Sequence, residues 1–350
     1  MAKQTLMMRI ALLLLLAAST VEAQKPKFTV GWSIYVGWNP YAYMEKSGIL
    51  KKWADKYGIE IKVQRFDYAP SLDAFVAKNI DACTMTNMEA LDLPAAAGVD
   101  STAIIVGDFS NGNDAVLVRN GLTLAKLPGK KTMLVEKTVS QYLFERAMTI
   151  NGLKDQIKRV PLVNTSDSDI ATAFIANPSQ EAVVTWKPMV SQILKTKGVT
   201  KIFDSSQIPG EIQDLLVVRT EVLKRPEGQK FAKAITGAWY EVMGQMKQDK
   251  VLAAIAAAAQ DTLPSYKEQL STTNLFYTPQ TALAFLQGAE LKQKMELVRQ
   301  FCFAHHLLGD AKTADQVAIA YPDGTIQGKP DRVRFRYDTT YTQMAAQGKL

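Results

Sequence analysis

The sequence has few of the residue types that build metal and catalytic centres. Its 350 residues include two cysteines, Cys83 and Cys302, and two histidines, the adjacent His305 and His306. These positions provide no ligand spacing that would hold a zinc ion. A glycine-rich phosphate loop, a nucleophile elbow and an HExxH helix are also missing. We therefore expect a protein with no metal and no other cofactor.

Arginine-rich runs and nucleic-acid-binding motifs are absent as well. The formal net charge is +7, but the basic residues are dispersed along the chain. A protein that binds nucleic acid concentrates its basic residues on one face or one helix. The sequence therefore predicts a solvated basic surface and no nucleic-acid partner.

Apart from its N-terminus, the sequence has no apolar run long enough to cross a membrane. Lys3 and Arg9 precede an apolar run at residues 10–18, and Val21-Glu22-Ala23 offers small residues for cleavage. This order is typical of a secretory signal peptide cleaved after Ala23, and the run is short for an uncleaved anchor. No cysteine follows the cut that could carry a lipid. We expect export to the periplasm.

Export would permit a disulfide between Cys83 and Cys302. Cys83, however, lies in an apolar run that resembles a strand, and free cysteine is often buried in such surroundings. The sequence favours two free thiols without excluding the bridge.

The most informative stretch runs from Phe28 to Trp53. A strand beginning at Phe28 is followed by a loop with two glycines and Pro40, and a helical pattern begins at Tyr41. The loop contains the candidate ligand-binding residues Trp32, Ser33, Tyr35 and Trp38. Ligands of open α/β sheets bind at the carboxyl ends of strands, and aromatic faces attract cations. We predict that this loop is one wall of a small-solute site, with core packing of the rings as the alternative.

Polar or aromatic residues follow several later strands in the same way. Predicted strands alternate with helices through residues 59–203, which indicates parallel sheets with helices on both faces. The loops after them supply the remaining candidate ligand-binding residues: Thr86, Asn87, Asp108, Asn113, Asp114, Glu136, Ser140, Trp186 and Glu211. We weight Glu136 and Asp108 most heavily among these.

Each of these residues also has a purely structural interpretation. The Asx residues at 108–114 could complete a turn, because their side chains bond their own backbone. Glu136 and Ser140 could belong to a helix N-terminus without touching a ligand. Glu211 could face solvent, and Trp186 could pack in the core.

Two similar apolar runs, at residues 115–120 and 215–220, bracket the second α/β unit. We interpret them as crossover strands that form a hinge between two lobes, although apolar strands can resemble one another by chance. The predicted division is a signal peptide at 1–23, a first lobe at 24–117 with 217–309, a second lobe at 118–216, and a C-terminal extension at 310–350. The polar, basic extension is either packed or partly disordered.

A family resemblance rests on six motifs and covers residues 28–309. They are WSIYVGW (32–38), CTMTNMEAL (83–91), GDFSNGND (107–114), TWKP (185–188), FDSSQIPGEIQDL (203–215) and TGAWYEVM (236–243). These motifs resemble the periplasmic solute-binding proteins of ABC transporters, in the nitrate, sulfonate, taurine and thiamine-pyrimidine group. Within that group they are most similar to a urea or guanidine transporter branch linked to urea carboxylase.

The resemblance implies a type II periplasmic-binding-protein fold. This fold has two α/β lobes, each a mostly parallel sheet flanked by helices, joined by two crossover strands. The resemblance also implies a non-enzymatic protein that closes about its hinge on a small-molecule solute. Its partners would be the membrane permease and the ATPase of an ABC transporter, and we expect it to be a monomer.

The candidate loops favour a cation or a neutral donor over an anion. They contain carboxylates and aromatic rings but no arginine, and their only lysines are Lys137 and Lys187. A sulfonate or nitrate would need cations and backbone N–H groups around it. Guanidinium pairs with carboxylates and stacks on rings, whereas urea needs mixed donors and acceptors such as Thr86 and Asn87. We expect guanidine first, urea second and a sulfonate third.

Two other functions could use the same architecture. Enzymes of the thiamine-pyrimidine synthase family use a histidine, but His305 and His306 lie outside the candidate loops. A signal peptide is also unsuited to a cytosolic biosynthetic enzyme. A sensor coupled to a chemoreceptor could share the fold, and the sequence does not separate sensing from transport.

Overall fold

The computed structural model of this protein describes residues 24–350, so the predicted signal peptide lies outside the described residues. The chain folds into two β-sheets, each flanked by helices. The strands are β1 (Lys27–Trp32), β2 (Glu60–Arg65), β3 (Ala82–Thr86), β4 (Ser101–Ser110), β5 (Ala115–Arg119), β6 (Thr132–Leu134), β7 (Leu162–Asn164), β8 (Ala182–Thr185), β9 (Val199–Asp204), β10 (Gln213–Arg219), β11 (Thr273–Leu275), β12 (Ala318–Ala320), β13 (Ile326–Gln327) and β14 (Val333–Tyr337). The helices are α1 (Asn39–Lys46), α2 (Ile49–Lys56), α3 (Tyr68–Val76), α4 (Asn87–Ala96), α5 (Val139–Ile150), α6 (Ile170–Ala176), α7 (Met189–Ile193), α8 (Thr220–Leu223), α9 (Pro226–Gln245), α10 (Asp249–Ala258), α11 (Leu263–Leu270), α12 (Pro279–Leu286), α13 (Glu290–Ala304) and α14 (Thr340–Ala346).

The larger sheet has the strand order β13-β12-β14-β4-β10-β3-β1-β2, with β11 added beside the end of β4. β1 runs parallel to β2 and β3, whereas β10 is antiparallel to both β3 and β4. Every residue of β3 and of β10 is buried. Near-continuous apolar runs are expected in strands that are covered on both faces.

The smaller sheet has the order β7-β6-β8-β5-β9. β6 is parallel to β7 and β8, and β5 is antiparallel to β8 and β9. Along β5, Ala115 and Leu117 face one apolar cluster while Val116 and Val118 face the other, as the two-residue period of a strand requires. In the smaller sheet only β5 runs against the other strands, and in the larger sheet β10, β11 and β13 run against the other six. The mostly parallel sheets predicted from the sequence are therefore confirmed, and each sheet contains antiparallel strands as well.

The chain crosses between the sheets twice, at residues 111–114 and at residues 205–212. Each crossing leads into the antiparallel strand of the sheet that the chain enters, β5 or β10. The two similar runs in the sequence are these entering strands, so they mark the crossings, but each lies wholly inside one sheet. The predicted lobe boundaries fall inside β5 and β10, shortly after the two crossing segments, and the exact boundaries stay a prediction.

Two predicted helix boundaries differ from the structure. The single helix expected from Tyr41 to Trp53 is two helices, because the chain turns at Gly48, whose φ of 77° is a conformation that glycine adopts without strain. The sequence also predicts a helix that begins at Ser71, with Ser71 as its N-cap. Helix α3 begins at Tyr68 in the structure, so Ser71 lies inside it. Ser71 Oγ donates to the Tyr68 carbonyl (2.6 Å).

The C-terminal extension is packed against the first lobe. Its strand β14 pairs with β4, placing Phe335 beside Ser101, and β12 and β13 continue the larger sheet to its edge. Tyr337 Oη donates to Gln213 Oε1 (2.7 Å) in β10. Residues 310–350 therefore complete the larger sheet. Of the two alternatives left open by the sequence, a packed or a partly disordered extension, the structure has the packed one.

Cys83 in β3 and Cys302 in α13 are buried free thiols. Within residues 24–350, no helix combines the length and apolarity needed to cross a membrane. Those residues also contain no group of three or more His, Cys, Asp or Glu that could hold a metal ion.

Candidate functional site

A small cavity lies where the loops of the two lobes meet. Its volume is about 20 Å³, in a measure in which one water molecule needs about 10–15 Å³. The lining residues are Tyr35, Trp38, Tyr68, Thr86, Asp114, Val139, Trp186, Ile212 and Asp214. They come from the ends of β1, β2 and β3 in one lobe, the ends of β6 and β8 in the other, the two crossings, and the start of β10. The cavity has room for a solute of only a few heavy atoms.

Four aromatic rings form a continuous wall from the first lobe to the second. Tyr35 meets Trp38 edge to face (ring centroids 5.1 Å apart), and Trp38 stacks on Tyr68 (5.5 Å, 30°). Tyr68 then meets Trp186 edge to face (5.8 Å). Ring faces of this kind present negative charge density to a cation.

The loop after β1 is shaped by a turn and a close backbone approach. The Trp38 N–H donates to the Tyr35 carbonyl (2.9 Å), and Pro40 starts α1 immediately afterwards. A Cβ at Gly37 would lie 2.0 Å from Asp108 Oδ2. Only glycine therefore lets this loop pass over Asp108 and hold the two rings at the cavity.

Aspartates supply the polar part of the site. Asp114 and Asp214 line the cavity, and Asp108 lies opposite Asp214 in the β4–β10 pair. Ser110 Oγ donates to Asp114 Oδ2 (2.5 Å), and Tyr35 Oη donates to Asp108 Oδ1 (3.0 Å). Burial raises the pKa of Asp108 and of Asp114 to about 7. Burial and the neighbouring Asp108 hold the pKa of Asp214 well above its usual range.

No lysine, arginine or histidine is among the lining residues. Arg146 is bound through Nε and Nη2 to the carboxylate of Glu211 (2.8 Å each). Lys187 Nζ donates to Glu268 (2.5 Å). These neighbouring basic side chains are therefore paired elsewhere and do not compensate the aspartates of the cavity.

The two lobes are in contact on several sides of the cavity. The Tyr68 N–H donates to Asp167 Oδ2 (3.2 Å) across the cleft. The Lys187–Glu268 pair also joins elements of the two lobes, and the Arg146–Glu211 pair joins the second lobe to the second crossing. The structure therefore has the two lobes closed over the cavity.

The structure brings part of the predicted site together. The predicted residues that line the cavity are Tyr35, Trp38, Thr86, Asp114 and Trp186. Asp108 and Asn113 stand behind Tyr35, whose Oη donates to Asp108 and accepts from Asn113 Nδ2 (3.2 Å). These two residues orient the Tyr35 ring. Contact with a solute stays a prediction for each residue.

Asn87 and Glu211 join the second crossing to its neighbours. Asn87 Nδ2 donates to the Glu211 carbonyl (3.0 Å), and the Gln213 N–H donates to Asn87 Oδ1 (2.9 Å). The Glu211 carboxylate binds Arg146 and accepts from Tyr142 Oη (2.6 Å). Neither Asn87 nor Glu211 lines the cavity. Glu211 is buried, so the alternative interpretation that its side chain faces solvent is wrong.

Glu136 and Ser140 lie beside the cavity without lining it. β6 ends at Leu134, and the following turn brings the first residue of α5, Val139, to the cavity. Glu136 is half-buried, and its backbone N–H donates to Asn164 Oδ1 (2.9 Å). The expectation that Glu136 would share the cavity with the Trp32–Trp38 loop is therefore corrected.

Trp32 and Ser33 are the other predicted residues outside the lining. Trp32 is the last residue of β1 and packs in the core, so the core alternative is correct for this ring. Ser33 borders a separate groove at the outer edge of the cleft. β1 extends to Trp32 in the structure, so the loop begins later than the sequence pattern indicated.

Sequence reasoning did not select Tyr68, Val139 or Ile212, and it counted Asp214 among the carboxylates of the candidate loops without choosing it as a ligand-binding residue. Tyr68 follows β2 as Tyr35 follows β1, so the rule about carboxyl ends of strands would have found it. Asp214 opens an apolar strand, where a carboxylate is uncommon. Val139 and Ile212 carry no chemical signal in the sequence because they contribute only apolar surface.

No known protein-family model matches the chain, and no curated protein matches it. Solved structures do match. The periplasmic aliphatic sulphonate binding protein SsuA from Escherichia coli is similar, at 17% identity and a TM-score of 0.66, over 83% of this chain and 96% of that chain. The periplasmic nitrate-binding protein NrtA from Synechocystis PCC 6803 is similar at 11% identity and a TM-score of 0.57, over 92% and 98%.

The chain has the periplasmic-binding-protein fold. The two-lobe α/β fold predicted from the sequence is thereby confirmed. At these identities, the likeness concerns the fold and not the ligand.

The periplasmic-binding-protein fold also occurs in an enzyme. DszB in complex with biphenyl-2-sulfinic acid is similar at 14% identity and a TM-score of 0.53, over 82% of this chain and 95% of that chain. Because one fold hosts both binding and catalysis, function has to be argued from the cavity itself.

Proposed function

We propose that the protein captures guanidinium in this cavity, as the periplasmic solute-binding component of an ABC transporter. The observation that carries the proposal is a buried cavity with four aromatic rings, two aspartates and no basic side chain. Closure of the lobes on the solute supplies the mechanism, because a solute that contacts both lobes favours the closed state.

The size of the cavity supports a small planar solute. The cavity volume is about 20 Å³, and one water molecule needs about 10–15 Å³ in the same measure. The closed cavity therefore holds only one or two water-sized groups. Guanidinium, urea and nitrate have four heavy atoms each and can enter with little opening of the cleft. An alkanesulfonate or taurine would require the lobes to separate further.

The charge of the cavity opposes an anion. A nitrate or sulfonate between Asp114 and Asp214 would meet two carboxylates and no lysine or arginine among the lining residues. Anion sites instead concentrate N–H donors and cations. Although the similar structures include sulfonate and nitrate binders, the residues of this cavity favour a positively charged solute.

Guanidinium matches the geometry of the lining residues. Its planar fork donates paired N–H bonds to carboxylates, which Asp114 and Asp214 can accept. Its faces stack on aromatic rings, and Trp38 and Trp186 approach the cavity from opposite lobes. A cation also stabilises the ionised form of buried carboxylates that otherwise hold protons.

One observation favours urea as a second candidate. Trp38 Nε1 is buried and has no hydrogen-bond partner among residues 24–350. The carbonyl of urea could accept from this N–H, whereas guanidinium has only donors. A protonated aspartate could also donate to the urea carbonyl.

Calorimetric titration of purified residues 24–350 tests the proposal. Guanidinium chloride should bind most tightly, urea more weakly, and ethanesulfonate, taurine and nitrate not measurably. Trp38→Phe should weaken urea by about tenfold, as loss of one hydrogen bond predicts, and should weaken guanidinium less than urea, because phenylalanine keeps an aromatic face for the cation although a smaller one. Tight sulfonate binding with no guanidinium heat would overturn the proposal in favour of the sulfonate alternative.

We propose that the protein binds its solute without converting it. The lining residues contain no cysteine, histidine or serine that could act as a nucleophile, and the proposal assigns Asp114 and Asp214 to binding the solute. Its partners would be the permease and ATPase of the transporter, and it would act as a monomer. Recovery of unchanged guanidinium from the complex would agree with a binding role, and release of a reaction product would contradict it.

A further inference from the structure

Glu89 is a buried carboxylate that does not line the cavity. It lies in the first turn of α4 and is 1% exposed. Within residues 24–350, Glu89 forms no ion pair. Burial raises the pKa of its carboxyl group, and hydrogen bonds from Thr86, Val139 and Tyr68 act in the opposite direction. A buried charge without a cation is costly unless other groups stabilise it.

The donors to Glu89 are all residues of the cavity wall. Tyr68 Oη donates to Glu89 Oε2 (3.0 Å), and Thr86 Oγ1 donates to the same oxygen. The Val139 N–H donates to Glu89 Oε1 (3.0 Å). Tyr68 and Thr86 belong to the same lobe as Glu89, whereas Val139 belongs to the other lobe. One carboxylate therefore connects wall residues from both lobes.

Val139 is the first residue of the twelve-residue helix α5. The first N–H groups of a helix lack partners inside the helix and carry its partial positive charge. The N-cap Thr138 accepts from the Ser140 N–H (3.2 Å), which leaves the Val139 N–H for Glu89. The helix terminus of the second lobe thus supplies positive charge to a carboxylate of the first lobe.

We propose that Glu89 is a positioning residue whose carboxylate latches the two lobes together around the solute. The latch rests on the solute capture proposed above. When the lobes separate, the Val139 N–H leaves Glu89, and Tyr68 and Thr86 lose the anchor that they share with the second lobe. Closure restores this contact and assembles the wall of the cavity in the same step.

The latch also explains why a cationic solute would favour closure. Glu89 is close enough to Asp114 that its charge raises the pKa of Asp114. An empty closed cavity therefore holds carboxylates that repel one another, and a cation between them relieves the repulsion. The solute and the helix terminus of α5 then stabilise the same closed arrangement.

Contacts at the rim of the cleft are weaker candidates for this role. Glu268, the partner of Lys187, has a side chain that is 53% exposed. Exposed ion pairs contribute little to stability because water and salt screen them. Glu268→Gln is therefore a matched control for a carboxylate that joins the lobes at the rim.

Hydrogen exchange at the Val139 amide and guanidinium dissociation kinetics test the latch. In Glu89→Ala, we expect exchange at Val139 to accelerate at least about tenfold and guanidinium dissociation to accelerate about tenfold to a hundredfold, as loss of bonds to a charged group predicts. The association rate should change less than about threefold, because most changes at one interface act on dissociation. Glu268→Gln should leave both quantities within about twofold.

Glu89→Gln separates the latch from a packing role. It keeps the size of the side chain and one acceptor for Val139, so we expect intermediate exchange and dissociation rates with an unchanged melting temperature of the unliganded protein. If the Val139 amide exchanges at the wild-type rate in both Glu89→Ala and Glu89→Gln, the proposed latch is wrong. If the wild-type protein binds no guanidinium, the proposed function fails, while exchange at Val139 still decides whether Glu89 joins the lobes. If Glu89→Ala does not fold, the Glu89→Gln rates decide.

Discussion

Asp108 and Asp214 occupy directly opposed positions in the antiparallel β4–β10 pair, with Tyr35 donating to Asp108. Opposed residues in such a pair have Cβ atoms about 4.5–5.5 Å apart. Two carboxylates at that separation cannot both be charged at low cost when buried. The pair therefore holds a proton while the cavity is empty, which links solute binding to pH.

Affinity for guanidinium should increase with pH. Burial raises the pKa of Asp108 and Asp114 to about 7, and a cation binds the ionised carboxylates, so protons compete with it below that pH. The dissociation constant should fall by about tenfold per pH unit for each proton displaced between pH 6 and 7, and level off above pH 8. Calorimetry in two buffers of different ionisation enthalpy measures the protons released.

Asp114→Asn is the companion variant for this prediction. It should weaken guanidinium binding and reduce the number of protons released, because one titrating group next to the solute is lost. An affinity that decreases as the pH rises would contradict a cationic solute. It would instead indicate a neutral solute that accepts from protonated carboxyl groups.

Asp108→Asn should stabilise the unliganded protein above neutral pH. Because the pKa of Asp108 is higher in the folded than in the unfolded state, the folded state binds more protons between about pH 4 and 7, and the free energy of unfolding decreases as pH rises through that window. The amide removes the buried charge. Thermal melts should show a higher midpoint than wild type at pH 8 and a smaller difference at pH 5.

The exposed Asp249 provides the control for that experiment. Its side chain is 68% exposed and pairs with Lys267 at the surface. Asp249→Asn should change the melting midpoint little at either pH, since exposed pairs contribute about 0–1 kcal/mol. An Asp108→Asn midpoint below wild type at pH 8 would contradict the buried-charge interpretation.

Gly37→Ala should damage both the loop and the site. A Cβ at Gly37 would lie 2.0 Å from Asp108 Oδ2 and 2.9 Å from Tyr35 Cε1. Relieving this overlap should cost about 1–3 kcal/mol of unfolding free energy and move Tyr35, so guanidinium affinity should decrease as well. Denaturant titration and calorimetry measure the two effects.

Gly244→Ala is the matched glycine substitution. Gly244 lies in α9, and a Cβ there would meet no atom within 4 Å outside its own helix. Because alanine favours a helix, this change should stabilise the protein by up to about 1 kcal/mol and leave guanidinium affinity unaltered. Equal affinities in the two variants would show that Gly37 has no part in shaping the site.

Glu211→Gln should separate stability from binding. The Glu211 carboxylate accepts three hydrogen bonds from Arg146 and Tyr142, outside the cavity. Loss of its charge should lower the free energy of unfolding by about 1–3 kcal/mol, with guanidinium affinity within about twofold. The double variant with Arg146→Gln should be less destabilised than the sum of the single variants. A large loss of guanidinium affinity with an unchanged free energy of unfolding would indicate instead that Glu211 contacts the solute.

Sequence patterns were sufficient for the elements that carry strong local signals. Pro40, the carboxyl-end loops and the two entering strands each follow from backbone restrictions or from the periodicity of apolar residues. The break at Gly48 was missed because the apolar spacing from Tyr41 to Trp53 continues across it. The strands of the C-terminal extension were missed because they are short and pair with β4, which is distant in the sequence.

The site was predicted less completely, for a physical reason. Which side of a loop faces the cavity depends on how two lobes dock, and no local pattern contains that information. Glu136 and Val139 lie three residues apart in one turn, yet only Val139 reaches the cavity. Glu211 resembled a ligand-binding carboxylate in sequence, and only the fold shows that Arg146 neutralises it.

The aromatic wall has a spectroscopic consequence. Of the five tryptophans, Trp38 and Trp186 line the cavity from opposite lobes with Tyr68 between their rings. Lobe separation would admit water to both indoles at once and shift their emission to longer wavelength. The two indoles would thus report lobe closure optically, without any attached dye.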